Sequence, residues 1–260
     1  GTFFLMVGLL PWLPPMRRAK PAQVDLTHCN GCARCAEDCP YEAIRMVRRS
    51  DELPFPTQAQ VNPLLCVSCG ICVGACPSST PFRRSEELRT GIDLPDYSLR
   101  LLRERVVEAA GKQHESPRIL VLACEHGGGA GHVGGLIKLP CVAMVPPSLI
   151  DFILSRKLAE GVVVAGCAES ACYHRLGIAW TEQRFAGQRD PYLRTRVPRE
   201  RIVTIWTSAL ATKQFEQKLD AFRRGIATLP PMTSLRQDRE TSSASSAATQ
   251  RSPATEEVAS

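Results

Sequence analysis

Two cysteine-rich stretches of identical spacing constrain this chain more than any other feature of its sequence. Residues 29–40 read CNGCARCAEDCP and residues 66–77 read CVSCGICVGACP, so both follow the pattern C-x2-C-x2-C-x3-C-P. In this pattern three cysteines surround one iron–sulfur cubane, and the fourth reaches the neighbouring cubane. A single run would also suit a zinc knuckle. Two in tandem, with Gly31 and Gly70 relieving their tight loops, predict two [4Fe–4S] clusters.

Residues 24–80 resemble a bacterial-type two-cluster ferredoxin, and the resemblance implies an α+β ferredoxin-like fold. It also implies that each cluster takes three cysteines from one motif and the last cysteine of the other motif. The implied sets are Cys29, Cys32, Cys35 and Cys76 for one cluster, and Cys66, Cys69, Cys72 and Cys39 for the other. Short strands are expected at 24–26 and 61–63, a turn at 41–44, and a surface hairpin or loop at 48–57.

The length, cysteine content and charge of the chain narrow its class. Its 260 residues are enough for two domains, and the two motifs account for eight of its 12 cysteines. Thiolate-ligated clusters belong to a reducing compartment, where structural disulfides are rare. The formal net charge of +6 is modest and basic residues are scattered among acidic ones, so nucleic-acid binding is not expected.

The first residues are uncharged and apolar. Residues 1–16 carry no charge, and Arg17, Arg18 and Lys20 follow directly, whereas a secretory signal has its positive charges before the apolar run. The run is shorter than the ~20 residues that span a bilayer. With no initiator methionine, it is interpreted as the end of a transmembrane helix with an anchor upstream, which places the protein on the cytoplasmic side of the membrane. The alternatives are an apolar leader packed on the ferredoxin domain, or a natural start at Met16, in a cytoplasmic protein.

After Pro117 the pattern of the sequence changes. Continuous apolar runs, typical of strands buried on both faces, alternate with helical stretches and predict an α/β layered domain with a parallel sheet. The runs lie at 119–124, 136–141, 162–167 and 202–206, and the helices are predicted at 147–159, 172–188 and 208–226. A connecting helix is predicted at 98–112, where Leu99, Leu102, Val106 and Ala110 recur at helical spacing.

Four further cysteines lie where such a fold collects its ligands. Cys124, Cys141 and Cys167 come at or just after the ends of predicted strands, and Cys172 is placed at the start of the next helix. Together they could ligate a [2Fe–2S] cluster. The alternatives are cysteines buried as small apolar residues, or a zinc site that combines two or three of them with His126 or His174.

Residues 118–229 resemble the delta subunit of methyl-viologen-reducing hydrogenase, the iron–sulfur protein that joins hydrogenase to heterodisulfide reductase. The matching stretches are LPCVAMVPPSLID at 139–151, GVVVAGCAESACYHRLG at 161–177, RVPRERI at 196–202 and the closing amphipathic helix. The resemblance implies one [2Fe–2S] cluster on Cys124, Cys141, Cys167 and Cys172. The family usually shows a Cys-x-x-Cys pair after its first strand, but Glu125, His126 and Gly127 follow Cys124 here. That departure puts Cys124 in doubt and makes His126 the first alternative ligand.

The sequence thus divides into five parts with one expected role. They are residues 1–20, the membrane segment and basic flank; 21–84, the ferredoxin domain; 85–116, a linker with a helix; 117–229, the delta-subunit-like domain; and 230–260, a tail without apolar periodicity that is predicted to be disordered. The expected role is an electron-transfer subunit that joins a hydrogenase, a heterodisulfide-reductase-like flavoprotein or a membrane quinone or haem module to another redox partner. The alternatives are an adaptor subunit of such a complex without a membrane role, and a second domain stabilised structurally by zinc.

No substrate-converting site is evident in the sequence. Ser170 and His174 are interpreted as loop and helix-surface residues, and the glycine-rich stretch EHGGGAGH at 125–132 does not spell G-x-G-x-x-G. That stretch is expected to be a flexible loop over the cluster. Arg34, Arg83 and Arg84, near the ferredoxin loops, are expected either to tune the reduction potential or to dock an acidic partner; the alternative is that they are ordinary surface charges.

Overall fold

The computed structural model describes residues 19–51, 53–79, 89–114, 116–127, 131 and 133–232. The membrane segment predicted at residues 1–16 lies outside these ranges, as do Arg83, Arg84 and nearly all of the tail predicted from residue 230. Among the residues described, no helix combines the length and the apolar character needed to cross a bilayer.

Two short antiparallel ribbons and two short helices make up the N-terminal half of the described chain. Strand β1 (Gln23–Val24) pairs with β4 (Ile92–Asp93), and β2 (Ile44–Arg48) pairs with β3 (Thr57–Val61). Helices α1 (Arg34–Glu37) and α2 (Ile71–Ala75) begin inside the two cysteine motifs. The polar segment between the motifs connects β2 to β3, so the predicted surface hairpin is confirmed.

The strands before the two motifs end earlier than predicted. Strand β1 ends at Val24 and β3 at Val61, and in each case the next residue is an Asp or Asn that turns the chain. The Asp25 Oδ1 accepts a hydrogen bond from the Thr27 N–H, and the Asn62 Oδ1 accepts one from the Leu64 N–H, both at 3.0 Å. Such turns offer the backbone a partner other than a neighbouring strand, which ends the ladder.

One helix connects the two halves, as its apolar spacing predicts. Helix α3 (Leu99–Gly111) is capped by the Ser98 hydroxyl, which accepts a hydrogen bond from the Leu101 N–H at 3.3 Å. Its buried side chains are the four apolar residues of the predicted stripe, Leu99, Leu102, Val106 and Ala110.

A four-stranded parallel sheet forms the centre of the C-terminal half, which confirms the predicted sheet type. The strands are β5 (Ile119–Cys124), β6 (Leu136–Leu139), β7 (Gly161–Gly166) and β8 (Ile202–Trp206), in the spatial order β6-β5-β7-β8. The helices of this half are α4 (Pro147–Ser155), α5 (Gly177–Ala186) and α6 (Thr212–Thr228). Every residue of β5 and β7 is buried, because α6 packs on one face and α3 with α4 on the other.

Some element ends differ from the predictions where the backbone cannot continue a regular conformation. The helix predicted from Cys172 begins at Gly177, because Arg175 adopts a left-handed conformation (φ 61°) that a right-handed helix excludes. Cys172 therefore lies in a loop and not at a helix start. Strand β6 stops at Leu139, since Pro140 has no N–H to give to a ladder. The structure also shortens the helix predicted at 147–159 and shifts the one predicted at 208–226.

The two halves share one continuous apolar core. Val73 of α2 and Leu99 of α3 belong to the same buried cluster as Met144 and Leu149 of the C-terminal half. A 3-10 turn (Val142–Met144), directly after Cys141, lies against α2 and so against the second cysteine motif. The carboxyl edge of the parallel sheet thus faces the cysteine loops of the N-terminal half.

Candidate metal centres

The first group of cysteines surrounds a cavity in the N-terminal half. Its members are Cys29, Cys32, Cys35 and Cys76, so three come from the first motif and one from the end of the second. Met46, Ala59 and Ile92 complete the wall of the cavity with apolar surface. The four cysteines are the set that the ferredoxin resemblance assigns to one cluster.

The second group has the reciprocal composition. Cys66, Cys69 and Cys72 of the second motif line another cavity together with Cys39, the last cysteine of the first motif. Burial, followed by the charges of Cys69 and Cys35, raises the pKa of Cys72 well above its ordinary value. Because Cys35 belongs to the first group, this interaction also shows that the first and second groups are neighbours.

The two cysteine loops share a backbone conformation. In each loop the residue before the second cysteine and the residue after it have positive φ: Gly31 (69°) and Ala33 (65°) in one, Ser68 (59°) and Gly70 (77°) in the other. Glycine therefore occupies the earlier left-handed position in the first loop and the later one in the second. The sequence points to both glycines, but the structure shows that they are not equivalent.

Backbone amides donate to the sulfur atoms of both groups. The N–H groups of Ala22, Ala43 and Gly91 donate to the Sγ atoms of Cys66, Cys39 and Cys76, at 3.4, 3.4 and 3.3 Å. Burial is the main reason why the pKa of Cys35 is raised to about 12 and that of Cys69 to about 11. Such thiols release their protons when a metal ion binds, because the positive charge of the metal takes the place of the proton, and N–H donors favour the resulting thiolates.

The third group lies at the carboxyl edge of the parallel sheet. Cys124 ends β5, Cys167 follows β7, and their Sγ atoms are 3.8 Å apart. Cys141 and Cys172 meet at Gly177, where an added Cβ would lie 2.5 Å from one Sγ and 3.4 Å from the other. The charges of Cys172 and Cys167 both act on the Cys141 thiol, so the structure brings all four predicted cysteines together.

The proton affinities of two thiols in this third group, those of Cys124 and Cys167, depend on each other. The Cys124 and Cys167 thiols share one hydrogen bond, and this coupling lowers the pKa of Cys167 to about 6 and raises that of Cys124 far above its ordinary value. Burial raises the pKa of Cys141 above the ordinary thiol range as well. Four sulfurs are the donor set of an iron–sulfur cluster or of a zinc ion. Within the described part of the chain, however, no three His, Cys, Asp or Glu side chains converge closely enough to hold a single metal ion, so the spacing of the sulfurs does not by itself support zinc.

Comparison with known families agrees with this arrangement. Residues 28–80 match the family model of the 4Fe-4S dicluster domain, and residues 132–230 match that of the delta subunit of methyl-viologen-reducing hydrogenase. The chain contains a dicluster domain followed by a hydrogenase delta-subunit domain. Both predicted resemblances are therefore confirmed, in the predicted order. No curated protein matches the chain.

The two family matches support an iron–sulfur electron-transfer subunit. The dicluster domain supports the binding of a [4Fe–4S] cluster, and the delta-subunit domain supports association with other redox or hydrogenase subunits. The match to the delta-subunit domain includes Cys141, Cys167 and Cys172 but begins after Cys124. Cys124 thus joins the third group through its contact with Cys167 rather than through the family match.

His126, the alternative ligand, lies beside the third group with other contacts of its own. Its ring stacks on Tyr173 with 3.6 Å between ring centroids, and its Nε2 lies 3.5 Å from the Glu125 carboxylate. Its charge also helps to lower the pKa of Cys167. The structure therefore places both Cys124 and His126 near Cys167, with the sulfur atom of Cys124 in direct contact.

His174 is buried in the delta-subunit domain, and its interpretation as a helix-surface residue is wrong. It is 4% exposed, and its Nδ1 lies 2.8 Å from the Tyr41 hydroxyl of the dicluster domain. Burial lowers the pKa of His174 to about 4 and raises that of Tyr41 to about 12, so both groups are neutral at pH 7. This hydrogen bond joins the loop after Cys39 to the loop after Cys172.

The second and third groups are also neighbours. Cys69, Ile71, Cys141 and Ala143 pack in one small apolar cluster, against which Tyr41 and Trp180 lie. The charge of Cys69 is one cause of the raised pKa of Cys141. The second group thus adjoins the first on one side, through Cys35 and Cys72, and the third on the other.

A buried ion network between the domains was not predicted from the sequence. The Asp38 carboxylate, next to Cys39, pairs with Arg184 and Arg189 of the delta-subunit domain, and the Asp38 carbonyl accepts from Trp180 Nε1 at 3.3 Å. Arg184 lies on the buried face of α5 with Thr181. An arginine on the buried face of a helix is the sequence signal that could have indicated a buried acidic partner. Arg34, predicted as a tuning or surface residue, forms an ion pair with Asp190 at 2.6 Å.

Proposed function

We propose that this protein is an electron-transfer subunit that holds three iron–sulfur clusters in a row. The proposed ligands are Cys29, Cys32, Cys35 and Cys76 for one [4Fe–4S] cluster, Cys39, Cys66, Cys69 and Cys72 for the other, and Cys124, Cys141, Cys167 and Cys172 for a [2Fe–2S] cluster. The observation that carries the proposal is the gathering of all twelve cysteines into three neighbouring groups of four. When bound, such clusters supply one-electron transfer over a range of potentials.

The order of the groups follows from their contacts. Cys35 acts on Cys72 between the first and second groups, and Cys69 acts on Cys141 between the second and third. The group in the middle is therefore the one of Cys39, Cys66, Cys69 and Cys72. Of the twelve cysteines, all of which are described, Cys32 alone is exposed, and it belongs to the first group. One redox partner is accordingly assigned to the Cys32 side and another to the delta-subunit side.

The chain contributes the environment of the clusters. Burial removes water from Cys35, Cys72 and Cys141, whereas backbone N–H groups donate to Cys39, Cys66 and Cys76. Both factors set the reduction potential of a cluster, since they determine how well extra negative charge is tolerated. The delta-subunit resemblance supports a hydrogenase or a heterodisulfide-reductase-like flavoprotein as the partners.

Metal analysis of the anaerobically purified protein tests the proposal. We expect about ten irons per chain, from two clusters of four irons and one of two. Reduction should give electron paramagnetic resonance signals of both cluster types. A content near eight irons without a binuclear signal would contradict the third site, and zinc in place of the missing iron would establish the structural alternative.

A membrane role is a second candidate, which the uncharged residues 1–16 and the basic residues 17, 18 and 20 support. Apolar segments followed by Arg and Lys are retained with the basic end on the cytoplasmic side. Fractionation of cells that express the full gene tests it. Detergent-dependent recovery from the membrane pellet is expected, whereas recovery in the supernatant without detergent favours an adaptor subunit.

A further inference from the structure

A cavity of about 610 Å³ lies between the two halves of the protein. Tyr41, Val67 and Tyr97 line it from the N-terminal half, and His126, Tyr173 and His174 line it from the C-terminal half. Its volume is in the range of pockets that hold small organic ligands, about 300–1,000 Å³. We call it the interdomain cavity.

Five aromatic rings line the wall of the interdomain cavity. The stacked rings of His126 and Tyr173 form one part, and Tyr41 and His174, edge to face at 6.1 Å between centroids, form another. Val67 and Leu94 add aliphatic surface. Flat aromatic faces of this kind favour a planar ring as ligand, because rings stack in offset or edge-to-face geometry.

The charged groups of the wall balance one another, because two cations, Lys20 and Arg175, stand beside two anions, Asp96 and Glu125. The Lys20 ammonium lies 2.8 Å from Asp96, and the Glu125 carboxylate lies 3.5 Å from His126. The Arg175 guanidinium lies over the Tyr41 ring, 5.6 Å from its centroid, and donates to the Pro40 carbonyl at 3.4 Å. An anionic ligand such as a nucleotide is best held by an excess of cations. The balanced charges of the wall therefore favour a neutral ligand.

Two hydroxyl groups on the wall are available to a ligand. Among the described residues, neither the Tyr97 nor the Tyr173 hydroxyl has a hydrogen-bond partner. A phenol O–H donates well to a carbonyl oxygen. A neutral ring that carries carbonyl oxygens would thus satisfy both the aromatic faces and these donors.

We propose that the interdomain cavity binds the ring of a quinone, a neutral planar molecule with two carbonyl oxygens. This inference rests on the proposed function, because it assigns a redox-active small molecule to the second and third cluster sites. Tyr41, in the wall, is acted on by the charges of both Cys69 and Cys141. A ring held against Tyr41 lies beside cysteines of both groups.

Calorimetric titration of the oxidised, cluster-loaded full chain with 2,3-dimethyl-1,4-naphthoquinone tests the inference. Both reactive ring positions of this probe carry methyl groups, so free thiolates do not add to it. One binding site per chain is expected. Val67→Trp, which fills the cavity, should weaken binding at least about tenfold, or 1.4 kcal/mol. The matched control is Val107→Trp on α3, since both valines are 46% exposed, and it should bind like the native chain.

Because Val67 is next to Cys66, Val67→Trp could weaken binding merely by disturbing the cysteine loop. A second variant, remote from that loop in sequence, separates the two causes. The double change Tyr97→Phe with Tyr173→Phe keeps both rings and removes only the hydroxyls, and it should also weaken binding. Flavin mononucleotide, a planar ring system with a phosphate, should bind at least about tenfold more weakly than the quinone. Equal or tighter flavin binding overturns the neutral class of ligand, and no quinone binding by a chain with its full iron content overturns the site. An incomplete iron content would instead count against the proposed function.

Discussion

Arg184 donates a hydrogen bond to the Asp38 carboxylate, although the exposed fractions of the two side chains are only 1% and 3%. Asp38 directly precedes Cys39 of the second group. The same guanidinium donates to the Ala143 carbonyl at 3.1 Å, and the Ala143 N–H donates to the Cys141 thiol of the third group. One buried cation therefore connects the surroundings of two neighbouring cysteine groups.

Replacing Arg184 with Met should both destabilise the protein and change the third site. Removing one partner of a buried pair leaves the other charge unpaired, which costs about 3 kcal/mol, although Arg189 still neutralises part of the Asp38 charge. The midpoint potential of the third cluster should fall, because a cation near Cys141 favours the reduced state. Potentiometric titration followed by electron paramagnetic resonance measures this. Arg223→Met, on the exposed surface of α6, is the control and should change neither property. An unchanged potential in the Arg184 variant would show that its role is only structural.

Each cysteine group contains the last cysteine of the other motif, and this exchange predicts a reciprocal pattern of cluster loss. Cys39→Ser should remove the cluster of Cys66, Cys69 and Cys72, because Cys39 lies in their cavity. Cys76→Ser should remove the cluster of the first motif for the same reason. Each change should lower the iron content by about four and erase one of the two cubane signals. Loss of the cluster nearer in sequence in either variant would contradict the crossing.

Cys124 and His126 are the two candidates for one ligand position of the proposed third site, and the contact with Cys167 favours Cys124. Cys124→Ala should abolish the binuclear signal, whereas His126→Ala should retain it. Histidine ligation raises the potential of a [2Fe–2S] centre. A redox titration of the native protein therefore gives an independent answer, and survival of the signal in Cys124→Ala would identify His126 as the ligand.

Gly177 is expected to be essential for the third site alone. A Cβ at this position would lie 2.5 Å from the Cys141 Sγ, so Gly177→Ala should displace that thiol. The binuclear signal should weaken while both cubane signals persist. Gly225→Ala serves as the matched control, because a Cβ there meets no atom within 4 Å and the residue is also helical. Equal loss of all clusters in Gly177→Ala would indicate general misfolding instead.

Asp93 should make stability depend on pH. Burial raises the pKa of Asp93 from 3.8 to about 6, although its carboxylate accepts hydrogen bonds from the Leu94 and Leu99 N–H groups. A raised carboxyl pKa means that the folded state holds its proton longer than the unfolded state does. The contribution of Asp93 to the free energy of unfolding is then fully present below pH 3.8 and is lost as pH rises to about 6. Asp93→Asn keeps an oxygen acceptor and should remove this dependence. Anaerobic thermal unfolding from about pH 4 to 7 compares the two proteins, and parallel curves would refute the role of Asp93.

The sequence predicts those features that leave a local pattern. Strands β5 and β7 are buried on both faces, so they appear as continuous apolar runs, and the two motifs place their cysteines by spacing alone. Contacts between distant positions leave no such pattern. Asp38 and Arg184 are 146 residues apart, and Tyr41 and His174 are 133 apart. The sequence does not predict the loop position of Cys172 for another reason, since nothing in an arginine's identity predicts the left-handed conformation of Arg175.

The exposure of Cys32 has a consequence for damage by oxygen. Cys32 is open to solvent, whereas Cys72 of the second group and Cys141 of the third are buried. Dissolved oxygen and peroxide therefore reach the first site most directly, because the least buried cysteines of the other two sites, Cys39, Cys66 and Cys172, are only partly exposed. Inactivation in air should therefore begin at the site of Cys29, Cys32, Cys35 and Cys76. The side of the protein that is proposed to exchange electrons with a partner is then also the side most readily oxidised.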